Sequence, residues 1–300
     1  MKNDLLCVVS MESRKGGRFL LMKKKLFVLL AAFILLFGQA LAQTQGVNIL
    51  LIGVDTLEEN INGRSDTMIL VHVNPETAEI RMVSFLRDLY VSIPGVGKTR
   101  LNAAYMHGGE ELLKQTLSNT FGISVDYTVT VHFSMLADLV DQLGGIEVDV
   151  TSAERSQINK LLEDYNDATG QYGGELEAAG LQRLTGKQAL CYSRIRKIDS
   201  DFQRTSRQQT VITAMMKRAG ELGYWQLLKL ALANLPKVQT DLRFTDIVTL
   251  APLVTQLDRL NLQTARVPFD GAYHDETING MMVLVPNLER CRTQLQDFLN

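Results

Sequence analysis

The stretch "VNILLIGVD" (47–55) is followed closely by "TMILVHV" (67–73) and "EIRMVSFL" (79–86), and these three apolar runs decide the fold. Each run is short, rich in aliphatic residues and bounded by polar or turn-forming residues, which predicts three β-strands. The turn sequence "NPET" (74–77) between the second and third runs is short enough for a hairpin. We therefore expect these strands to form an antiparallel meander.

Charged residues collect where the three strands of such a meander share one edge of the sheet. They are Asp55, Arg64, Asp66, Arg87 and Asp88. Taken singly, Asp55 could be a strand-end turn residue and Asp66 a helix cap. Taken together, beside arginines that suit phosphate, they predict a site for Mg²⁺ or Mn²⁺, because Mg²⁺ binds one or two carboxylates together with phosphate oxygens and water.

A second cationic segment, "CYSRIRKIDSDFQRTSRQQ" (191–209), places five cations around two acids, although the formal net charge of the chain is only -2. Its first part, "ALCYSRIR" (189–196), alternates in polarity as a strand does, which would direct Arg194 and Arg196 to the same face. A helix is predicted over 202–219, with Ser200 or Asp201 as its N-cap.

Two polar side chains interrupt the apolar face of this predicted helix. Arg204 and Gln208 lie on the same face as Val211, whereas Arg207, at the border of that face, and Lys197 are expected to be peripheral. An inward-facing cation needs a partner, because an unpaired buried charge is costly. A salt bridge to Asp199 or to an acid at the sheet edge is one explanation, and an anion such as phosphate is the other. The excess of cations over acids favours the anion.

The N-terminus predicts export. Residues 22–42 begin with three lysines, continue as an uncharged apolar run over 26–37 and end at "ALA" (40–42), which is typical of a signal peptide. An uncleaved membrane anchor is the alternative, although the run is short for a span of ~20 residues. Residues 1–21 lack this pattern, so Met22 is an alternative start.

The remainder alternates strand-like and helix-like segments without a Pro/Gly-rich linker, which predicts one α/β domain from 47 to 300. The polar stretch 151–180 is expected to be a mobile flap, and "QTARVPF" (263–269) to be the last strand. Cys191 and Cys291 are expected as two separate buried thiols, since an exported protein that relies on disulfides usually carries several. A pI near 6.1 argues against nucleic-acid binding.

The chain resembles the LytR-CpsA-Psr family of cell-envelope proteins. The resemblance is carried by "NILLIGVD", "GRSDTMILVHVNPETAEIRMVSFLRDLYVSIPG", "RLNAAYMHGG", "VDQLGGIEVDV", "LTGKQALCYSRIRKIDSDFQRTSRQQ" and the C-terminal "VPFDG", and it covers nearly all of 47–300. It implies a single α/β domain with a central mixed sheet flanked by helices and an apolar groove for a polyprenyl chain. "SFLRD" here replaces the usual "SIPRD" of the family.

The resemblance also implies an activity and its residues. Family members transfer glycopolymers, such as teichoic acid or capsular polysaccharide, from polyprenyl-pyrophosphate carriers to peptidoglycan at the membrane surface and form a phosphodiester. Hydrolysis of the same pyrophosphate and non-catalytic binding of polyprenyl phosphate or anionic wall polymer are the alternatives. By position, Asp55 and Asp66 resemble the metal-associated acids, one of which would also deprotonate the acceptor hydroxyl. The residues that resemble the pyrophosphate-holding group are Arg87, Arg194, Arg196, Arg204 and Gln208, with Arg64 as a further candidate.

Overall fold

A six-stranded mixed sheet forms the centre of the computed structural model, which describes residues 46–54, 63–74, 77, 79–169, 173–254 and 261–300. Residues 46–300 belong to one compact unit. The strands are β1 (Val47–Val54), β2 (Ser65–Asn74), β3 (Glu79–Phe85), β4 (Tyr90–Ile93), β5 (Gly97–Arg100), β6 (Tyr127–His132), β7 (Ile146–Val150), β8 (Gly180–Leu184), β9 (Gln239–Thr240), β10 (Asn261–Val267), β11 (Tyr273–Ile278) and β12 (Met281–Pro286).

Eight α-helices lie within these described residues. They are α1 (Ala103–Phe121), α2 (Phe133–Gln142), α3 (Ser152–Thr169), α4 (Gly186–Ser193), α5 (Asp201–Gly220), α6 (Tyr224–Asn234), α7 (Phe244–Val254) and α8 (Leu288–Leu299). In the described parts of the chain, none of the helices is both long and apolar enough to cross a membrane. The predicted leader (1–21) and signal or anchor segment (22–42) lie outside the described residues.

The sheet has the order β10-β3-β2-β1-β6-β9. β1 pairs antiparallel with β2, and β2 pairs antiparallel with β3, which confirms the predicted meander. β6 joins β1 and β10 joins β3 in parallel, while β9 is antiparallel to β6, so the sheet is mixed. One end of β1, β2 and β3 therefore meets at a common edge, as the sequence predicted.

Helices cover both faces of this sheet. Along β2, Met68 and Leu70 belong to the core that α1 and α8 share, whereas Ile69 and Val71 belong to a second core with α5. The two sets alternate because successive strand residues point to opposite faces. The predicted α/β class with a helix-flanked mixed sheet is thus confirmed.

A separate apolar cluster packs the two-stranded β7–β8 sheet against α2, α3, α4 and α5. Here α4 approaches α2 closely at Gly186, where a Cβ atom would lie 2.1 Å from the carbonyl oxygen of Ala137. The backbone N–H of Gly186 also donates to Asp141 Oδ1 at 2.7 Å. A side chain is excluded at this position, and α4 is held against the end of α2 as a result.

Three predictions about local structure were wrong. The segment 189–196 belongs to helix α4 and the turn after it, because Thr185 and Gln188 form a capping box that starts a helix at Gly186. The supposed flap contains the 18-residue helix α3, whose inner face buries Ile158 and Leu162. β11 and β12 follow the strand that had been expected to be last. Cys191 and Cys291 are free and buried, as predicted.

Candidate anion-binding site

Asp66 occupies a β-bulge at the shared edge of the meander. Gly53 pairs with Thr67 and Val54 pairs with Ser65, so Asp66 is an extra residue of β2 with no partner in the register. Bulges disrupt the ladder locally and re-aim side chains, and they are over-represented next to active sites. The bulge therefore explains how a carboxylate leaves the end of a buried strand and enters the site.

Two arginines from different parts of the chain meet on the Asp66 carboxylate. Arg87, just after β3, donates from Nη1 to Oδ1 at 2.7 Å, and Arg196 donates from Nη2 to Oδ2 at 3.0 Å. Burial raises the pKa of Asp66, but the hydrogen bond from Arg87 and the charges of Arg87, Arg196 and Arg204 outweigh it and hold the pKa below its usual value. Asp66 is therefore ionised at neutral pH and joins the sheet edge to the cationic segment.

Arg204 is the most deeply buried cation of the site, with 2% of its surface exposed. Its Nη2 donates to Asp201 Oδ2 at 2.7 Å, and the same oxygen lies 3.5 Å from Arg87 Nε. The Nε and Nη1 atoms of Arg204 are buried and have no hydrogen-bond partner among the described residues. Burial lowers the pKa of Arg204; Asp201 raises it, Arg87 and Arg196 lower it further, and the pKa is about 10. Buried donors are normally paired, so this arrangement suits a bound anion.

The other predicted site residues are distributed unevenly around this centre. Arg194 follows α4, is exposed and lines the same pocket as Arg196, and Gln208 on α5 lines it as well. Arg64 is exposed, and the described lining of this pocket does not include it. Asp55 lies outside the described residues. Lys197, expected to be peripheral, does line the pocket.

The prediction that Arg207 is peripheral was wrong. Its guanidinium is buried; Nε donates to Glu154 Oε1 at 2.7 Å, and both terminal nitrogens contact the Asp199 carboxylate. Nη1 also donates to the carbonyl oxygen of Ile195 at 3.3 Å. Two carboxylates neutralise this cation, unlike Arg204, so the salt-bridge explanation applies to Arg207. It fixes the loop that carries Arg194 and Arg196.

A polar pocket of about 220 Å³ is lined in part by Arg204. The described part of its lining contains five cationic side chains and two carboxylates. One wall comes from the loop after α4 and from α5, and another wall comes from α3, a helix that the sequence prediction had missed. The described lining consists of Asp66, Gln157, Lys160, Leu161, Asp164, Ser193, Arg194, Arg196, Lys197, Arg204 and Gln208. The excess of positive charge fits a multiply charged anion.

An apolar pocket of about 70 Å³ adjoins the polar one. It lies between the sheet and α5, where Leu51 and Ile69 face Val211 and Ile212. Ser193 and Gln208 line both pockets, so the two share a wall. The site therefore combines the polar pocket, which has an excess of cations, with the adjoining apolar pocket.

This arrangement defines an α/β protein with a cationic pocket beside an apolar one. Residues 31–297 match the LytR_cpsA_psr family, and the chain belongs to that family.

Similar proteins from several bacteria are teichoic acid transferases. The chain is 35% identical over 256 residues to the polyisoprenyl-teichoic acid–peptidoglycan teichoic acid transferase TagU of Oceanobacillus iheyensis, covering 81% of this chain and 72% of the relative. It is 32% identical over 218 residues to the corresponding TagT of Bacillus subtilis, covering 70% of this chain and 64% of that protein. The matches thus span about two thirds of the relatives' lengths.

Solved structures show the same fold. TagT bound to LIIa-WTA superposes with a TM-score of 0.69 at 28% identity, over 85% of this chain and 91% of that one. The LytR-CPS2A-psr family protein YwtF (TagT) with bound octaprenyl pyrophosphate lipid gives a TM-score of 0.64 at 26% identity, over 85% of this chain and 90% of that one.

Proposed function

We propose that this chain transfers a glycopolymer from a polyprenyl-pyrophosphate carrier to peptidoglycan and forms a phosphodiester. The observation that carries the proposal is a polar pocket with an excess of cations that adjoins an apolar pocket. One of its lining residues is Arg204, whose buried Nε and Nη1 atoms have no partner among the described residues. A pyrophosphate attached to a polyprenyl chain has the charge and the apolarity that this pair of pockets fits. The names of the similar proteins support the same substrate class.

The proposed reaction is a phosphoryl transfer. A hydroxyl oxygen of peptidoglycan attacks the phosphorus that carries the saccharide, and the bond from that phosphorus to the bridging oxygen breaks. Polyprenyl phosphate leaves with the bonding electron pair, and the hydroxyl proton passes to a base. Arg87, Arg196 and Arg204 hold the pyrophosphate and balance the charge on its oxygens, because positioning and electrostatics provide most of the catalysis in such transfers.

In this proposal Asp66 acts indirectly, through the two arginines to which it is hydrogen-bonded. Its lowered pKa makes it a weak proton acceptor, since an effective general base has a pKa near the working pH. Its two oxygens instead accept hydrogen bonds from Arg87 and Arg196 and so fix both guanidiniums. We assign Asp66 to orienting these arginines, and the role of base falls to another group, for which Asp55 is the sequence-based candidate.

The site also suits a divalent cation. Asp66 is ionised and lines the polar pocket, and each of its oxygens accepts one described hydrogen bond and so retains a lone pair. Asp55, which directly follows β1, is the second carboxylate in the proposal. Bound Mg²⁺ or Mn²⁺ would neutralise charge on the phosphate oxygens.

The polyprenyl chain would enter between α5 and the sheet. The apolar pocket, at about 70 Å³, is far below the roughly 300–1,000 Å³ of typical ligand sites, so α5 must move outward to admit the chain. Met215 and Met216 on α5 are only partly buried. Methionine is flexible and repacks readily, so this helix face can follow the shape of a lipid.

The proposed substrates place the protein outside the cytoplasm. Peptidoglycan and its lipid-linked precursors lie at the outer face of the cytoplasmic membrane, and the sequence of 22–42 predicts export. We propose that the protein works at this membrane surface, either anchored by 22–42 or released after cleavage.

The test is transfer from a lipid-linked glycopolymer donor to purified peptidoglycan, with divalent cation present. We expect polyprenyl phosphate to be released and the polymer to become attached through a phosphodiester. Arg196→Ala should abolish transfer, because Arg196 lies in the pocket and contacts Asp66. Arg183→Ala is the control, since Arg183 is an exposed arginine on the two-stranded β7–β8 sheet, where it pairs with Glu147.

The products separate the proposed activity from its alternatives. Donor consumption that does not require peptidoglycan would indicate a pyrophosphatase, and binding without donor consumption would indicate a carrier or binding protein. Full activity of Arg196→Ala would overturn the assignment of the site.

A further inference from the structure

The face of α3 that lines the polar pocket presents an unusual set of side chains. Gln157, Lys160, Leu161 and Asp164 stand at helical spacings of three and four residues, which places them on one face. This face lines the same pocket as Arg194 and Arg204. The residues offer an amide, an ammonium group, an aliphatic surface and a carboxylate.

The carboxylate of Asp164 is out of place in a simple pyrophosphate pocket. A carboxylate repels phosphate and weakens its binding, so Asp164 has no role as a phosphate ligand. Ionised carboxylates and amides do accept hydrogen bonds from hydroxyl groups. Side chains of this kind beside an aliphatic residue suit a saccharide, which presents hydroxyls at its rim and C–H groups on its faces.

The order of the pockets gives the direction in which a lipid-linked donor lies. The polar and apolar pockets meet at Ser193 and Gln208, and the residues of α3 line only the polar one. A donor consists of a lipid, a pyrophosphate and a saccharide joined in that order. With the lipid against Ile212 and the pyrophosphate at Arg204, the saccharide faces α3.

We propose that Gln157, Lys160 and Asp164 bind the first saccharide of the lipid-linked donor and so select the glycopolymer. This inference rests on the proposed function, because it takes the orientation of the donor from the two pockets. The exposed positions of Lys160 and Asp164 leave both side chains accessible to a ligand.

The test compares binding of octaprenyl pyrophosphate with binding of the same lipid carrying one sugar, drawn from N-acetylglucosamine, glucose and galactose. Asp164→Asn should weaken binding of the preferred glycosylated lipid about tenfold, as should Gln157→Ala. The same Asp164→Asn variant should bind the unglycosylated lipid equally well or more tightly, because a repulsive charge has been removed. Opposite effects on the two lipids are not expected from a structural defect.

Glu163→Gln is the matched control, since Glu163 is the exposed acid next to Asp164 and is not part of the described pocket lining. It should change neither affinity by more than about twofold. Equal effects of Asp164→Asn on both lipids, or no effect on any glycosylated lipid, would overturn the assignment of α3. If the unmodified protein binds none of these lipids, the proposed function itself fails.

Discussion

The buried guanidinium of Arg207 donates to Glu154 at 2.7 Å and joins two elements that are 53 residues apart in the sequence. Arg207 lies on α5 and Glu154 in the first turn of α3. The same guanidinium contacts Asp199 in the loop of Arg194 and Arg196. One side chain therefore fixes both walls of the polar pocket relative to each other.

Arg207→Met should destabilise the protein strongly. Removing one partner of a buried ion pair leaves uncompensated charge and typically costs about 3–5 kcal/mol, here on Glu154 and Asp199. Urea unfolding followed by circular dichroism measures this free energy. Lys217→Met, an exposed change on the same helix, should stay within about 0.5 kcal/mol of the unmodified protein. Equal stability of the two variants would show that the Arg207 network contributes little.

The same network should make stability depend on pH in the acid range. Burial raises the pKa of Glu154, but hydrogen bonds from Arg207 and Thr151 outweigh this and hold the pKa below its ordinary value of 4.5. The lowered pKa contributes stability that is fully present above pH 4.5 and is lost as the pH falls through the folded-state value.

Glu154→Gln tests this dependence. The difference in unfolding free energy between Glu154→Gln and the unmodified protein should be largest at neutral pH and should shrink as the pH falls below 4.5. Unfolding curves recorded at pH values on both sides of this point measure the difference. A gap that stays constant over the whole range would contradict the assigned pKa shift.

Arg204→Met should separate binding from stability. Arg204 lies three residues before Arg207 on α5, but two of its buried nitrogen atoms lack partners among the described residues. Its removal should therefore cost much less folding free energy than removal of Arg207, because fewer favourable contacts are lost. Binding of pyrophosphate should fall at least about tenfold, as measured by calorimetry. Retained pyrophosphate affinity would exclude Arg204 from the anion site.

Ile212→Phe should distinguish the two pockets. Ile212 lines the apolar pocket on α5, and a larger ring there would occupy its space. We expect the affinity for octaprenyl pyrophosphate to fall at least about tenfold, while the affinity for inorganic pyrophosphate is retained. Thr213→Phe, one position further along the same helix, is the comparison. A parallel loss of both ligands in Ile212→Phe would place the lipid elsewhere.

The central sheet was predictable because β1, β2 and β3 are apolar runs separated by short polar segments. The position of Asp66 and Arg87 at a common edge followed directly from their meander. The helices α3 and α4 were missed because few apolar residues mark α3 and because the polarity of 189–196 alternates. Each of these helices nevertheless begins with a capping box. Thr151 and Glu154 form it in α3, and Thr185 and Gln188 form it in α4.

The positions of Arg204 and Arg207 around the helix could not predict which of the two arginines is neutralised by acids. Both side chains are buried, but Glu154, one of the two acids that neutralise Arg207, lies in a segment whose helix was not recognised. Arg204 pairs with Asp201 in the first turn of the same helix, and two of its donor atoms have no partner in the described part of the chain. Only the tertiary arrangement shows that Arg207 is paired with two acids, whereas Arg204 is paired with one.

Because Asp66 lies in a bulge, it contributes to the candidate site but not to the pairing of β1 with β2. Gly53 and Val54 already have partners in Thr67 and Ser65, so strand pairing does not use the residue between them. A family member that lost this single residue would gain an uninterrupted ladder and keep its architecture. Deletion of Asp66 would therefore remove the acid that holds Arg87 and Arg196 without interrupting the pairing of β1 with β2, so an intact sheet does not indicate an intact site.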